Sequence, residues 1–351
     1  MSIEIEGRKI GSDAPPFIIA EMSGNHNQSL DRALKIVEEI AASGAHALKL
    51  QTYTADTMTI DVSEGEFYID NDKSPWKGHN LYELYEKAHT PWEWHEQIFK
   101  KARELGLIAF STPFDATAVD FLETLDVPFY KIASFENTDL PLIRKVCSTG
   151  KPVIISTGLA SIAEIDEAVK TARDAGCRDL ILMKCTSNYP ASSASSNLAT
   201  IPHMKALFKC EVGLSDHTLG IGAAVASVAL GATVIEKHFT LSREEGGVDA
   251  DFSLEPSEFK SLVQETETAW QSIGQVQIGP SDEEIPSKIF RRSLYVCEDI
   301  QAGERFTEKN LRSIRPGYGL PVKYQVHLLG KKSNASLTKG TPLSWDLVNG
   351  E

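Results

Sequence analysis

Gly213-Leu-Ser-Asp-His-Thr218 leads into an Ala-, Gly- and Val-rich segment, which leads into Val234-Ile-Glu-Lys-His-Phe-Thr240. Each end has the pattern of an apolar strand that stops at polar residues, and the small apolar segment between them suits a buried helix. The unit is then strand, helix, strand, with His217 and His238 at the same end of two neighbouring parallel strands. Imidazoles aimed into one space suit a divalent ion. The competing reading, two unrelated histidines capping strands, is weighed by what the other strand ends carry.

Working outward, eight short apolar runs appear: Phe17 to Glu21, Ala47 to Thr52, Leu107 to Thr112, Phe129 to Ser134, Pro152 to Thr157, Leu180 to Cys185, Cys210 to Ser215 and Thr233 to His238. Stretches with apolar residues at three- and four-residue steps lie between or after them, among them Leu30 to Ala42, Trp92 to Leu105, Ser161 to Ala175 and Glu255 to Ile273. Strand-helix alternation repeated eight times is the arithmetic of a (β/α)8 TIM barrel. A doubly wound sheet is the alternative, but the GxGxxG fingerprint after the first strand is absent. One long insertion, Tyr53 to Pro91, carries Trp76, Tyr82 and Tyr85 and is expected to cover the active face or the rim of the barrel. The expected domains are a catalytic barrel over 1–279, a linker over 280–286 rich in turn formers and charge, and a small domain over 287–351. The small domain has strand-like runs at Ser293 to Val296 and Leu337 to Thr341. It also carries a weak repeat, in which Ile300, Gly303 and Phe306 recur in spacing as Leu337, Gly340 and Leu343.

Composition narrows the function classes. The 351 residues carry a formal net charge of -14, which argues against nucleic acid as the main partner, because phosphate backbones need basic clusters. Apolar runs all fall short of a membrane span, and the charged N-terminus lacks the blocks of a signal peptide. Five cysteines without CxxC spacing fit reduced thiols, so a cytoplasmic location is expected.

In a barrel the C-terminal strand ends build the active site. Here they deliver Glu21, Lys49 with Gln51, Thr112, Lys131 with Ser134 and Glu136, Ser156 with Thr157, Thr186 with Ser187, Ser215 with His217, and His238. Lys49 and Lys131 stand among strand apolars, where a lysine is costly unless it faces a cavity and meets an anion. The hydroxyls beside them are donors of the kind that grip phosphate and carboxylate oxygens, although each alone also suits a helix cap. Together they suggest a small anionic, phosphorylated substrate beside a metal.

The motifs A-E-M-S-G-N-H-N-Q-S-L (20–30), K-L-Q-T-Y (49–53), S-T-P-F-D (111–115), Y-K-I-A-S (130–134), C-T-S-N-Y-P (185–190), G-L-S-D-H-T and E-K-H-F-T, in this order, resemble the sialic acid synthase family. R-P-G-Y-G-L at 315–320 resembles that family's C-terminal antifreeze-like (SAF) domain, and N-H-N-Q in place of the commoner N-H-N-G is most similar to its pseudaminic acid synthases. The resemblance implies condensation of phosphoenolpyruvate with an N-acylated amino sugar, here a 2,4-diacetamido-2,4,6-trideoxyhexose, giving a nonulosonic acid and phosphate. An N-acetylneuraminate or legionaminate synthase using N-acetylmannosamine or a related sugar is the alternative. An aldolase using a Lys131 Schiff base ranks lower, and ice or glycan binding by the small domain lower still.

Carried over position by position, the resemblance implies that His217 and His238 hold a divalent ion (Mn, Mg or Co) and that Glu21 is an acid at the metal and carbonyl. It also implies that Lys49, Thr112, Lys131, Ser134, Ser156, Ser187 and Ser215 bind phosphoenolpyruvate or phosphate. Gln51, Tyr189 and Asp249 then fall near the sugar, with Glu136 a further substrate-binding candidate. Some relatives carry an asparagine at the position of Ser187, so either Ser187 or Asn188 is the ligand contact. A domain-swapped homodimer, in which Arg315 reaches the neighbouring subunit's site, is implied as well.

Overall fold

The computed structural model describes residues 3–72 and 76–350, which fall into two compact units, Met1–Gly274 and Gln275–Glu351. In the first unit eight parallel strands close into a barrel: β1 (Phe17–Glu21), β2 (Ala47–Thr52), β3 (Ile108–Pro113), β4 (Tyr130–Ile132), β5 (Val153–Ser156), β6 (Leu180–Cys185), β7 (Glu211–Asp216) and β8 (Val234–His238). They follow one another around the barrel in chain order, and β8 pairs with β1 to close it. This is the TIM-barrel fold expected from the eight runs. The Gly222–Ala229 helix joins β7 to β8, and only its Ala224, Ser227 and Val228 are buried, so it is a half-buried connection rather than the wholly buried helix expected.

Strand side chains alternate with period two between the barrel interior and the surrounding helices. The outward set meets the apolar faces of helices such as Leu30–Ala42, whose Ala33, Ile36, Val37 and Ile40 are buried. The lower inward set, Phe17, Phe110, Phe129, Ile154, Ile181 and Val234, forms a separate cluster sealed by Ile3, Ile5 and Ile10 of an N-terminal hairpin. Burial of this plug favours the fold by roughly 2 kcal/mol per large side chain. Gly213 of β7 is required for closure, since a Cβ there would collide with the Val234 carbonyl.

The insertion folds over one side of the strand ends, through short helices at Ala55–Met58 and Gly65–Phe67 and a longer helix at Leu81–Ala88. Its residues 73–75 lie outside the described residues. Asn80 starts the longer helix by accepting the Glu83 N–H at 2.8 Å.

The second unit is built around Leu294, Val296, Ile300, Phe306, Leu311, Leu328, Leu337 and Leu343. Its antiparallel pair is Ser293–Val296 with Leu311–Ile314. The run from Leu337 to Thr341 is not a strand, because Leu337 forms only an isolated bridge, to Ile300, before the chain turns at Gly340 (φ 93°). The weak repeat has a packing basis, since Ile300 and Leu337 exchange backbone hydrogen bonds of 2.9 and 2.8 Å and Phe306 and Leu343 enter the same core.

Candidate active site

Moving up the strands in steps of two, the inward residue changes from apolar to polar or ionic toward the C-terminal end. Phe17 and Ile19 give way to Glu21, Ala47 to Lys49 and Gln51, Phe129 to Lys131, Ile154 to Ser156, and Val234 to Glu236 and His238. The result is a cavity of about 320 Å³ above the apolar plug.

At its floor Glu236 receives Lys131 Nζ on both carboxylate oxygens, at 2.8 and 2.9 Å, Lys49 Nζ at 3.0 Å and the Ser215 hydroxyl at 3.2 Å. Lys49 also reaches Glu21 at 2.7 Å, and Gln51 Nε2 donates to the other Glu21 oxygen at 2.7 Å. All four ionic groups are buried. Burial pushes the Glu236 carboxyl up, but Lys131 and Lys49 overcome it and hold the group far below the usual carboxylate range. Burial likewise opposes ionised Glu21, while Lys49 and His238 leave it below its ordinary value. For Lys49, two carboxylates outweigh burial and raise the ammonium, whereas burial lowers Lys131 despite Glu236. Both lysines therefore face the cavity as expected, but their partners here are protein carboxylates.

Hydroxyls from the strand ends gather near Gly158 and along the cavity. Gly158 N donates to Ser134 Oγ at 3.2 Å, and a Cβ on Gly158 would strike both Ser187 Oγ and Ser134 Oγ. Thr112 Oγ1 and Ser156 Oγ are buried without a hydrogen-bond partner. Both hydroxyls line the cavity, where they are available to ligand oxygens. Thr157 differs, because its hydroxyl donates to the Met183 carbonyl at 3.0 Å and so serves the backbone.

His217 and His238 meet with ring centroids 5.4 Å apart. His217 Nδ1 lies 3.1 Å from the Thr186 carbonyl, which makes that nitrogen the donor, so in the neutral ring Nε2 carries the lone pair; burial lowers this imidazole, but Cys185 and the Thr186 carbonyl leave it above its ordinary value. His238 Nδ1 is buried with no hydrogen-bond partner, with Asp249 Oδ2 3.8 Å away, and its Nε2 lies 3.6 Å from Glu21. Burial keeps the His238 imidazole neutral, at about 4, the form that ligates metal. Burial raises Asp249 to about 6 although Ser23 donates to it. Two imidazoles beside two carboxylates fit a divalent ion chemically, yet among the described residues no three His, Cys, Asp or Glu side chains already converge as a ligand set.

The insertion adds apolar lining to the cavity, Met58, Ile69, Trp76, Leu81 and Leu84, joined by Val248. Trp76 Nε1 donates to the Val248 carbonyl at 3.0 Å, and its ring lies 5.8 Å from that of Tyr189. Tyr53, where the insertion begins, is buried with its ring against those of Tyr85 and Phe114.

Of the residues expected at the site, Glu21, Lys49, Gln51, Thr112, Lys131, Ser134, Glu136, Ser156, Tyr189, Ser215, His217, His238 and Asp249 line this one cavity. Ser187 stands behind Gly158 beside Ser134, while Asn188 is exposed. Arg315 belongs to the second unit and is exposed there. Glu236 and Cys185 line the cavity too but are absent from the sequence reading. Glu236 carries a usable signal, since it stands two residues before His238 in the same strand and must share its face. Cys185, whose Sγ lies 3.9 Å from His217 Nδ1, carries a signal as well, since it closes the Leu180 to Cys185 run and opens the C-T-S-N-Y-P motif.

Comparison with known proteins places this architecture. Residues 36–278 match the NeuB family and residues 291–349 the SAF domain. The chain is 42% identical to pseudaminic acid synthase of Campylobacter jejuni, over 95% of this chain and 96% of that protein. It is 42% identical to the Helicobacter pylori pseudaminic acid synthase, over 95% and 97%. A crystal structure of N-acetylneuraminic acid synthetase from Leptospira borgpetersenii in complex with citrate superposes with a TM-score of 0.73 at 31% identity, covering 82% of this chain and 95% of that one. With a family match over most of its length and full-length relatives at this identity, the chain belongs to the NeuB family.

Proposed function

We propose that the protein is a pseudaminic acid synthase, which condenses phosphoenolpyruvate with the open-chain aldehyde of a 2,4-diacetamido-2,4,6-trideoxyhexose to give the nonulosonic acid and phosphate. Its full-length similarity to pseudaminic acid synthases supports the reaction class. The observation that carries it at the site is a pair of buried lysines with the unpartnered Thr112 and Ser156 hydroxyls in a cavity that also has an apolar lining. The lysines suit phosphate and carboxylate. The apolar lining suits the methyl and acetamido groups of a 6-deoxy sugar.

The CH2 carbon of phosphoenolpyruvate bonds to the aldehyde carbon, whose oxygen takes up a proton. Water adds to the carbon that bears phosphate, and the carbon–oxygen bond to phosphate then breaks. Lys49 and Lys131 hold the anion in attack geometry, an effect of roughly several kcal/mol as positioning and electrostatics. Glu21, with Gln51 and Lys49 orienting its oxygens, is placed to take the proton lost by the water. A divalent ion, Mn, Mg or Co, held by His217 and His238 would supply Lewis acidity for the aldehyde oxygen. Charge supports that ion, because Lys49 and Lys131 are already balanced by Glu21 and Glu236 and the floor alone is near neutral toward a trianion. Arg315 of a second subunit in a swapped homodimer is the further cation in this reading.

Phosphate release is to be measured with phosphoenolpyruvate and each of two sugars, the diacetamido trideoxyhexose and N-acetylmannosamine. A higher specificity constant for the first supports the assignment. Equal constants, or preference for N-acetylmannosamine, remove the subtype. Borohydride trapping of pyruvate on Lys131 without phosphate release replaces it with an aldolase.

A further inference from the structure

The apolar lining depends on a short helix, Leu81–Ala88, whose Leu81, Leu84, Tyr85 and Ala88 line the cavity. A helix of this length is not stable alone, and its last carbonyls have no partners within the helix. His89 meets two of them, with its N–H on the Tyr85 carbonyl at 2.9 Å and its ring Nδ1 2.8 Å from the Glu86 carbonyl, and the loop after β1 meets the next. Gln28 Nε2 donates to the Lys87 carbonyl at 3.0 Å and to the His89 carbonyl at 2.7 Å. Its carboxamide therefore caps the helix C-terminus from another element.

Gln28 makes these bonds from φ 55°, in the left-handed region that a glycine adopts more readily. A glutamine held there is unfavourable for the backbone, so its donors are what the position gains. Two other contacts align the same seam. His26 Nε2 lies 3.2 Å from Thr90 Oγ1 with both residues buried, and at Gly24 a Cβ would come within 3.0 Å of the Ala88 carbonyl.

We infer that Gln28 is a specificity-determining positioning residue: by capping the Leu81–Ala88 helix across the seam, it holds the apolar lining at the distance that selects a deoxygenated, acylated sugar over a hydroxylated one. It touches no reacting atom. The lysine floor is anchored to the strands independently of this helix, so the loss of Gln28 acts on the sugar and not on phosphoenolpyruvate. The specificity half rests on the function proposed above, whereas the clamp rests on geometry alone.

The test uses the full chain with Gln28→Gly, which suits the left-handed backbone and removes both donors, and with Gln28→Glu, which keeps the size but cannot donate. Hydrogen exchange of the amides in 81–90 is expected to accelerate about tenfold in both variants. KM for the sugar should rise about three- to tenfold while KM for phosphoenolpyruvate moves less than about twofold, and the preference for the diacetamido sugar over N-acetylmannosamine should shrink correspondingly. Unchanged exchange in both variants overturns the clamp. Faster exchange with both KM values unchanged, or rising together, overturns the specificity role. A wild-type protein that releases no phosphate with either sugar overturns the proposed function and the specificity role with it, while the exchange comparison still decides the clamp.

Discussion

Replacing Glu236 by glutamine removes the one carboxylate that both floor lysines share. At 2.8 to 3.0 Å and an effective dielectric near 20, each lysine has a gross attraction of about 6 kcal/mol to that carboxylate. Most of this is offset by the desolvation of buried charge, and breaking such a pair costs about 3–5 kcal/mol net because a lysine is left unmatched. Lys49 keeps Glu21, so the lower end, about 3 kcal/mol, is expected from urea unfolding of Glu236→Gln. The same change makes the floor one charge more positive. Phosphate should bind at least about tenfold tighter, and at 100 times its Kd should return about 2.7 kcal/mol of stability. Turnover should fall as phosphate release slows. The pH dependence has a definite sign. The folded-state carboxyl is depressed, so its contribution is present above pH ~4.5 and is lost as pH falls further, and the variant's acid limb is shallower. Unfolding free energy within about 0.5 kcal/mol of wild type, together with phosphate affinity equal to or weaker than wild type, would refute the reasoning.

Glu136 is raised by burial to about 7 and its Oε2 has no hydrogen-bond partner, so its protonated form favours the fold below pH ~4.5 and that advantage disappears as pH rises through 7. Glu136→Gln should therefore be more stable than wild type at pH 8 by roughly 2–3 kcal/mol and nearly equal to it at pH 4; an identical pH profile for both proteins contradicts this. His217→Ala should keep its far-UV circular dichroism and lose bound divalent ion by at least about tenfold in Kd, read by titration calorimetry; wild-type affinity removes the metal assignment. Mixing inactive Arg315→Ala and His238→Ala proteins should restore part of the activity if Arg315 acts across a swapped dimer, and no recovery despite proven subunit exchange rules that arrangement out.

The barrel was legible because each β run ends in the same way, with apolar residues and then a polar one, and because periodicity is a local property. Seven of the ranges differ from the strands by a residue or two or not at all; Phe129 to Ser134 shortens to Tyr130–Ile132, where the chain enters a turn at Ser134–Glu136. The Leu337 to Thr341 run has an equally strand-like pattern, but Gly340 turns the chain and neighbours supply only bridges. Glu236 and His238 share one face by parity alone, being two residues apart in one strand.

By itself the sequence determined the order of strands and helices, the inward parity of Glu21, Lys49, Lys131 and His238, and the chemistry at the strand ends, all consequences of spacing along one chain. Only the tertiary structure decided which charges meet. Glu236 lies 105 residues from Lys131, and Gln28 lies 59 and 61 residues from the carbonyls it caps. Such pairings depend on barrel closure and on how the insertion packs, and Coulombic and hydrogen-bond energies act through distance in space, which no period along the chain encodes.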